Sequence, residues 1–264
     1  MTIHPTAIVD KDAEIGKDVE IGPYCIIEGG TQIGDGTKLL QNVYVARGTT
    51  IGKSCQIHMN AIIGHEPQDI AFGNKPSFLK IGDRNIIREL VTIHRGTGEG
   101  SSTVIGDDNF FMAVCHIAHN CNIGNKIVVC NNSLLAGHVE VGDMAFISGN
   151  CVVHQFVRIG RLTMVSGSAR LSKDVPPYMV AEHTNFVASY NIVGLRRAGF
   201  GPKLREDIKK AFTILYRSEL NIKTAAERIE SEFDSPELKH FVEFIRASGM
   251  RGICSFRTRR AIEV

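Results

Sequence analysis

The sequence has no apolar run that could cross a membrane. None of its hydrophobic segments approaches 18 residues, so a transmembrane helix is excluded. The N-terminus also lacks the charged and then apolar segments of a signal peptide, because a regular repeat already begins at Ile3. These absences predict a cytoplasmic protein that does not insert into membranes.

Paired cysteines are lacking as well. The seven cysteines are odd in number and none of them forms a Cys-x-x-Cys pair. Isolated cysteines of this kind are typical of small buried side chains in a reducing compartment, rather than of disulfides or metal ligands. The chain also has no nucleic-acid-binding motif, and its basic residues do not alternate with aromatic ones, so nucleic acid is not an expected partner.

The small net charge of +2 conceals an uneven distribution. Residues 191–264 carry 15 Lys and Arg against 10 Asp and Glu, whereas residues 1–190 carry 15 against 18. An acidic partner is therefore expected to bind the C-terminal part of the chain.

What the sequence does contain is a period of six residues. Every sixth residue is aliphatic or aromatic from Ile3 to Ile63, from Ile81 to Ile93 and from Ile105 to Leu171, 26 positions in all, and ten of these precede a glycine. This period fits neither an α-helix nor a plain amphipathic strand, but it is typical of a parallel β-helix. Three hexads make one triangular coil, and coils stack at the strand spacing of about 4.8 Å.

The repeat predicts a β-helix over residues 1–190, interrupted by loops at 64–80 and 96–104 that are rich in Gly, Pro and Ser. Pro176 and Pro177 end the repeat, because proline cannot donate to a ladder of strands. Helical spacing follows, so a C-terminal helical domain is expected over residues 191–264, with the tail after Gly249 unassigned. The spacing and a cap at Ser235 predict three helices, at Pro202–Ser218, Lys223–Phe233 and Pro236–Ser248.

Grouping the hexads in threes predicts a column of histidines. The repeat positions Ile93, Ile117, Leu135 and Val153 fall on one face, and His94, His119, His138 and His154 follow them, with His116 expected at the adjoining corner. Such a column favours a functional role. One neutral imidazole could act as a general base while the others bind a polar substrate. Alternatively, His116, His119 and His138 could hold Zn²⁺ with an open position for water.

Several motifs go beyond the repeat: Ile81–Asn85, Val91–Thr97, Ile117–Cys121, Leu135–His138, Val153–Phe156, Asp174–Tyr178 and Gly194–Phe200. Over essentially the whole chain they closely resemble the UDP-N-acetylglucosamine acyltransferases of lipid A biosynthesis. The resemblance implies a left-handed parallel β-helix that assembles as a homotrimer with active sites between subunits. It also implies transfer of an (R)-3-hydroxyacyl group from acyl carrier protein to the 3-hydroxyl of UDP-N-acetylglucosamine, the first step of lipid A biosynthesis, without a metal or other cofactor.

The resemblance assigns roles to individual residues. His119 matches the general base, which suits an alcohol that attacks a thioester near neutral pH. Gly137 matches the donor of a backbone N–H to the developing oxyanion. Positions that match substrate contacts are the acceptor-binding pair Gln68 and Asp69, then His116, His138, His154 and Gln155, and the nucleotide-contacting Asn191 and Arg197.

Three positions depart from the family pattern. Many relatives have Asp where this chain has Asn120 and Lys where it has Ala71, and some have Glu in place of Val193. The 3-amine of a UDP-amino-sugar analogue therefore stays open as an alternative acceptor, and a zinc enzyme similar to γ-class carbonic anhydrases is a more distant alternative. The acidic carrier protein is expected to dock on the basic residues Arg196, Arg197, Lys203, Arg205, Lys209 and Lys210.

Overall fold

A computed structural model describes residues 1–249 and 251–256. The hexads form very short strands that follow one another around a triangular prism, so that every third strand joins the same sheet. All pairing between the regular coils of the prism is parallel, and among the described residues only the hairpin that follows them pairs antiparallel. In most coils each residue pairs with the one 18 positions later, as Ile117 does with Leu135 and Ile123 with Val141.

The first face contains 12 strands, of which the last three lie beyond the regular coils: Thr2–Ile3, Glu20–Ile21, Lys38–Leu39, Gln56–Ile57, Ile86–Ile87, Phe110–Phe111, Val128–Val129, Phe146–Ile147, Met164–Val165, Met179–Glu182, Phe186–Tyr190 and Ser255–Phe256. The second face contains nine: Ile8–Val9, Ile26–Ile27, Tyr44–Val45, Ile62–His65, Thr92–His94, His116–Ile117, Leu134–Leu135, Val152–Val153 and Arg170–Leu171. The third contains eight: Glu14–Ile15, Gln32–Ile33, Thr49–Ile51, Phe78–Ile81, Ser102–Ile105, Asn122–Ile123, Glu140–Val141 and Arg158–Ile159.

The aliphatic residue of each hexad points into the prism and forms its core. Ile57, Ile87 and Val129 are fully buried, whereas Ile3, in the first coil, is 38% exposed. A coil buries its hydrophobic face only against its neighbours, which explains the exposure at the open end. The parallel β-helix predicted from the period of six is therefore confirmed.

The two predicted loops are shorter than expected. Strands Ile62–His65, Phe78–Ile81 and Ser102–Ile105 extend into them and leave excursions at residues 66–77 and 95–101. The reason is the longer parallel pairing here, in which Phe78 pairs with Ser102 and Ile81 with Ile105. Both excursions leave the prism at the corner between its second and third faces.

Glycines let the coils stack at the corner between the third and first faces. A Cβ atom on Gly34 would lie 2.6 Å from the carbonyl carbon of Gly52, and one on Gly52 would lie 2.4 Å from the carbonyl oxygen of Gly82. Contacts this short leave no room for a side chain. The glycines that follow the hexad residues are therefore required by close approach of successive backbones.

Beyond the prism the chain forms an antiparallel hairpin and four helices. The helices are α1 (Ile192–Arg197), α2 (Pro202–Arg217), α3 (Ile222–Glu232) and α4 (Pro236–Arg246). Three of them were predicted to within two residues at each end, and the side chain of Ser235 accepts a hydrogen bond from Leu238 N–H at 3.3 Å as expected. Helix α1 was not predicted. A domain boundary at residue 190 stays a prediction.

After α4 the chain returns to the prism, where Ser255–Phe256 pairs in parallel with Phe186–Val187. The remaining arginines of the tail, Arg257, Arg259 and Arg260, lie outside the described residues. All seven cysteines are free thiols, and six of them are buried. Within residues 1–249 and 251–256, no helix is long and apolar enough to span a membrane.

Gly34→Ala should destabilise the prism, because its new methyl group would meet the Gly52 backbone at 2.6 Å. We expect a loss of about 1–3 kcal/mol, the usual cost of overpacking. Urea unfolding at one fixed protein concentration measures it. Gly73→Ala is the matched control, since its Cβ would meet nothing within 4 Å. Equal unfolding midpoints for the two variants would show that the stack can relax around a side chain.

Candidate active site

The candidate site lies at the corner between the second and third faces, next to both loop excursions. Stacking of the coils aligns His119, Gly137 and Gln155 in one column and Asn120, His138 and Phe156 in the next. The backbone N–H of His138 donates to the His119 carbonyl at 3.0 Å, and that of Phe156 donates to the Gly137 carbonyl at 3.0 Å. Ladder hydrogen bonds thus fix the spacing of the columns.

His119 is half-buried and is held by its neighbour. Its Nδ1 lies 3.0 Å from Oδ1 of Asn120. The same oxygen accepts hydrogen bonds from the backbone N–H and the hydroxyl of Thr97, each at 3.0 Å. Thr97 belongs to the second excursion, so this loop orients the imidazole through the Asn120 amide.

Gly137 lies directly against the ring of His119. A Cβ atom at this position would be 2.4 Å from Cε1 and 2.6 Å from Nε2 of that ring. Only glycine leaves room for the imidazole here. Among the residues that the structure describes, none accepts a hydrogen bond from the Gly137 N–H, which leaves this donor available beside Nε2.

His138 closes the other side of the site. Its ring packs edge-to-face on His119, with centroids 5.3 Å apart, and stacks on Phe156 at 4.5 Å. Burial lowers the pKa of His138, and His119 lowers it further, whereas Asp69 acts in the opposite direction. Asp69, in the first excursion, is therefore close enough to influence the charge of His138.

The position of His116 differs from the expectation. We expected His116 at the corner and the other histidines on the face, but His116 is on strand His116–Ile117 of the second face, whereas His119 and His138 occupy the corner. A strand comprises the aliphatic residue of the hexad and the residue before it, so residues after the aliphatic one turn away. His116 Nδ1 lies 2.7 Å from the hydroxyl of Thr92.

His94 and His116 form a second pair of rings, with centroids 4.8 Å apart. His94 is 5% exposed, and its Nδ1 has no hydrogen-bond partner among the described residues. Burial, followed by the proximity of His116, lowers the pKa of His94 to about 4. Burial and His119 also lower the pKa of His116. These two rings are therefore neutral near pH 7.

Arg95 ties the first excursion to the prism, a role that the sequence did not reveal. Its side chain is buried, donates to the Gly64 carbonyl at 3.2 Å and approaches Glu66 at 3.5 Å. Its guanidinium also lies 5.5 Å from the centre of the Phe72 ring. Asp69 is further fixed by a hydrogen bond from Ala71 N–H to its carboxylate at 2.9 Å.

The remaining predicted residues make no side-chain contact with His119 or His138 in the described chain, although Gln155 shares the column of His119 and Gly137. His154 contacts Arg251 at 3.0 Å, and Gln155 and Gln68 are exposed. Asn191 caps α1, since its Oδ1 accepts from Gly194 N–H at 2.9 Å and its amide donates to the Leu162 carbonyl at 2.8 Å. Arg197 is exposed in the last turn of α1. Within the described part of the chain, no contact joins Asn191 or Arg197 to the histidines.

Comparison with known proteins identifies the family. The chain is 51% identical over 255 residues to the acyl-[acyl-carrier-protein]–UDP-N-acetylglucosamine O-acyltransferase of Thermodesulfovibrio yellowstonii. The alignment covers 96% of this chain and 98% of the relative. The chain belongs to the UDP-N-acetylglucosamine O-acyltransferase family. The model for the second domain of that family matches residues 174–254, and the model for six bacterial transferase hexapeptide repeats matches residues 30–65.

Solved structures of this family share the fold. The UDP-N-acetylglucosamine acyltransferase of Bacteroides fragilis superposes with a TM-score of 0.91 at 41% identity and covers 96% of this chain and 99% of its own. The LpxA structure from Acinetobacter baumannii gives 0.92 at 37% identity, with the same coverage of both chains. The prediction of a left-handed parallel β-helix with C-terminal helices is therefore confirmed, and the chain is an acyltransferase.

Four histidines of this acyltransferase form two edge-to-face pairs, His94 with His116 and His119 with His138. Among residues 1–249 and 251–256, no group of three or more His, Cys, Asp or Glu side chains is arranged as a metal site. The corner instead places the half-buried His119 imidazole against the backbone of Gly137, beside the loop that carries Asp69. This arrangement suits proton transfer beside a developing negative charge.

Buried His94 should make the acyltransferase less stable in acid. The unfolded chain takes up a proton on this side chain near pH 6.5, but the folded chain does so only near pH 4. The stabilisation is therefore complete above pH 6.5 and is lost as the pH falls towards 4. Urea unfolding between pH 7 and 4 measures how the free energy of unfolding depends on pH. In His94→Gln this slope should be smaller, by an amount that corresponds to up to about one proton.

The exposed His4 supplies the control for this pH series. His4→Gln should retain the slope of the unmodified protein, because its side chain lies in solvent. If His94→Gln and His4→Gln gave the same pH dependence, the burial of His94 would not determine acid stability.

Proposed function

We propose that this protein transfers an (R)-3-hydroxyacyl group from acyl carrier protein to the 3-hydroxyl of UDP-N-acetylglucosamine, the first step of lipid A biosynthesis, with His119 as general base. The acyl-carrier thioester is the co-substrate, and the mechanism uses no other cofactor. The observation that carries the proposal is the His119 ring seated on Gly137 and held by Asn120. The activity of the Thermodesulfovibrio yellowstonii relative supports the choice of substrates.

The hydrogen bonds around Asn120 determine which nitrogen of His119 can accept a proton. The backbone N–H of Thr97 can only donate, so the atom of Asn120 that faces it is the amide oxygen. That oxygen can only accept, and Nδ1 of His119 must therefore carry the proton. Nε2 keeps its lone pair and faces the side where Gly137 lies, as a general base requires.

The chemistry follows from this tautomer. Nε2 of His119 accepts the proton of the sugar hydroxyl while the hydroxyl oxygen bonds to the thioester carbonyl carbon. The Gly137 N–H donates to the oxyanion that forms, a type of contact that lowers the barrier by several kcal/mol. The intermediate then expels the thiolate of the carrier's arm. This thiolate accepts from His119 the proton that came from the sugar hydroxyl. The products are the acylated UDP-sugar and the free thiol.

Substrate binding uses the loop and the neighbouring columns. Gln68 and Asp69 bind the sugar beside His138, and His116, His154 and Gln155 contact the remaining sugar, diphosphate or acyl groups. Asn191 and Arg197 contact the nucleotide. Within one chain Asn191 and Arg197 do not contact the histidines, so we propose that they contribute to the site of a neighbouring subunit.

The outer surface of the prism supports the proposal of a homotrimer. Outward residues of the third face are mostly polar, but five of the nine strands of the second face carry an apolar outward residue that is 37–65% exposed: Ile8, Ile26, Ile62, Leu134 and Val152. At the corner between the first and second faces, Leu90 and Val114 have φ angles of 61° and 65° and are half exposed. An apolar patch of this kind favours burial against further copies of the chain.

Other coils carry a different residue type at the position of Leu90 and Val114, which strengthens the proposal that this corner contacts another copy. Neighbouring coils place Asn42, Asn60, Asn132 and Asn150 at the equivalent left-handed position, which asparagine tolerates well. A β-branched residue such as Val114 is disfavoured there. Contact between copies gives a physical reason for an apolar residue in this conformation, and three prisms around one axis would form clefts between subunits.

The carrier protein is proposed to dock on the basic surface at the start of the helical part. Lys203 pairs with Asp207 and Lys209 with Glu206. The other four residues of this surface have no ion-pair partner in the described chain: Arg196, Arg197, Arg205 and Lys210. An acidic carrier complements this surface, and the attraction weakens with salt. The cytoplasm is the proposed location, consistent with seven free thiols.

His119→Ala should lower kcat by about 10²-fold or more, the usual contribution of a general base. Acyl transfer to UDP-N-acetylglucosamine, followed by mass spectrometry of the product, measures the effect, and thermal unfolding checks the fold. His183→Ala is the control because it removes an exposed histidine of the hairpin. Unchanged turnover in His119→Ala would disprove the assignment.

The same acyl-transfer assay tests the alternative acceptor, and metal analysis with a CO₂ hydration assay tests the zinc enzyme. A tenfold higher kcat/KM for a UDP-sugar with a 3-amine, about 1.4 kcal/mol of transition-state binding, would make the amine the acceptor. Stoichiometric zinc, lost together with CO₂ hydration activity in His119→Ala, would favour the carbonic anhydrase alternative.

Light scattering should give three times the mass of one chain at micromolar concentration. Val114→Asn should shift the protein towards monomers, because it replaces the exposed apolar side chain but suits the left-handed backbone. Val104→Asn is the matched control, since Val104 is a similarly exposed valine on the polar third face. A stable, fully active monomer of the unmodified chain would contradict the trimer.

A further inference from the structure

The segment after α4 returns to the prism and is firmly anchored there. The Gly252 carbonyl accepts from Asp174 N–H at 3.1 Å, and Cys254 N–H donates to the Asp174 carbonyl at 2.8 Å. Ile253 is 6% exposed and Cys254 is fully buried. These contacts fix the backbone on the C-terminal side of Arg251, so the direction of its side chain is determined by the fold.

The Arg251 side chain extends to the corner that carries the candidate active site. Its Nη1 lies 3.0 Å from Nδ1 of His154 and 3.5 Å from the Ser172 carbonyl oxygen. No carboxylate in the described chain forms an ion pair with Arg251. Asp174, two residues from Ser172, is occupied by Arg158 at 2.7 Å and 2.9 Å. The positive charge of Arg251 therefore has no counterion within the described residues.

The contact with Arg251 also determines the tautomer of His154. A guanidinium can only donate, so Nδ1 must supply the lone pair, and Nε2 of His154 must carry the proton. Nδ1 lies 3.2 Å from the Gln155 carbonyl as well, but a proton placed there would face the guanidinium N–H. The pair therefore presents N–H groups alone, and an arrangement of donors around an uncompensated charge suits an anion.

The location of the pair matches a phosphate next to the reacting sugar. Gln155, the neighbour of His154, stacks one coil beyond Gly137 and two coils beyond His119. One coil corresponds to about 4.8 Å. The diphosphate of a UDP-sugar is attached at C1 of the sugar, within a ring's length of the 3-hydroxyl that His119 would deprotonate.

We propose that Arg251 and His154 form a phosphate-binding pair of the active site. The inference rests on the proposed function and adds Arg251 to it. The ligand is a phosphate ester, either the diphosphate of the UDP-sugar or the phosphodiester of the carrier protein's arm. The planar guanidinium can bind such a group through two parallel hydrogen bonds.

Calorimetric titration of the full-length protein with UDP and with uridine tests the proposal without acyl transfer. Arg251→Gln should weaken UDP binding about tenfold and leave uridine binding unchanged. Arg251→Lys keeps the charge but loses the paired hydrogen bonds, so it should show a smaller loss. Arg246→Gln is the control, because Arg246 is an exposed arginine paired with Glu230 in the helical part.

Steady-state kinetics then distinguish the two sources of phosphate. A higher KM for the UDP-sugar alone assigns the pair to the diphosphate, and a higher KM for the acyl carrier alone assigns it to the carrier's arm. Normal UDP affinity together with both KM values unchanged in Arg251→Gln would overturn the proposal. The proposed function fails separately, if the unmodified protein shows no acyl transfer at all.

Discussion

Hydrogen bonding between successive coils is the interaction on which the rest of this structure depends. Each strand is only two to four residues long on the regular faces, and it is stable because its backbone pairs with a strand in the coil before and another in the coil after. This pairing brings residues 18 positions apart into contact and builds the site from His119, Gly137 and Gln155. The alignment of these residues is thus a by-product of the ladder that stabilises the fold.

The loop at residues 95–101 explains why a neutral residue can orient His119. In a site that needs a fixed tautomer, either a carboxylate or an amide oxygen can accept from Nδ1. Here the backbone and hydroxyl of Thr97 keep the Asn120 oxygen in place. In the proposed mechanism an amide gives the imidazolium less electrostatic support than a carboxylate would, so transfer of the proton relies more on the neighbouring N–H donor. Burial of His94 and His116 keeps two further positive charges away from that proton.

Much of this could be predicted from the sequence, because a period of six determines which residues point inward and which strands share a face. The column from Ile93 to Val153 followed directly from that period. The position of His116 was predicted wrongly, since the period does not show where a strand ends and a corner begins. The contacts of Thr97, Arg95 and Asp69 depend on the paths of two loops that have no periodicity. Arg251 reaches His154 from 97 residues away, and no local pattern encodes such a contact.

The 18-residue repeat of the regular coils also separates the length of the molecule from its chemistry. A whole coil of 18 residues could be gained or lost between residues 1 and 60 and change only the length of the prism. The coils on the N-terminal side of the site would still pair with one another in the same register. A single residue gained between His119 and Gly137 would instead rotate every later side chain away from its partner. Evolution of this chain can therefore proceed in units of entire coils at one end, whereas in the middle it is confined to loops that leave at corners.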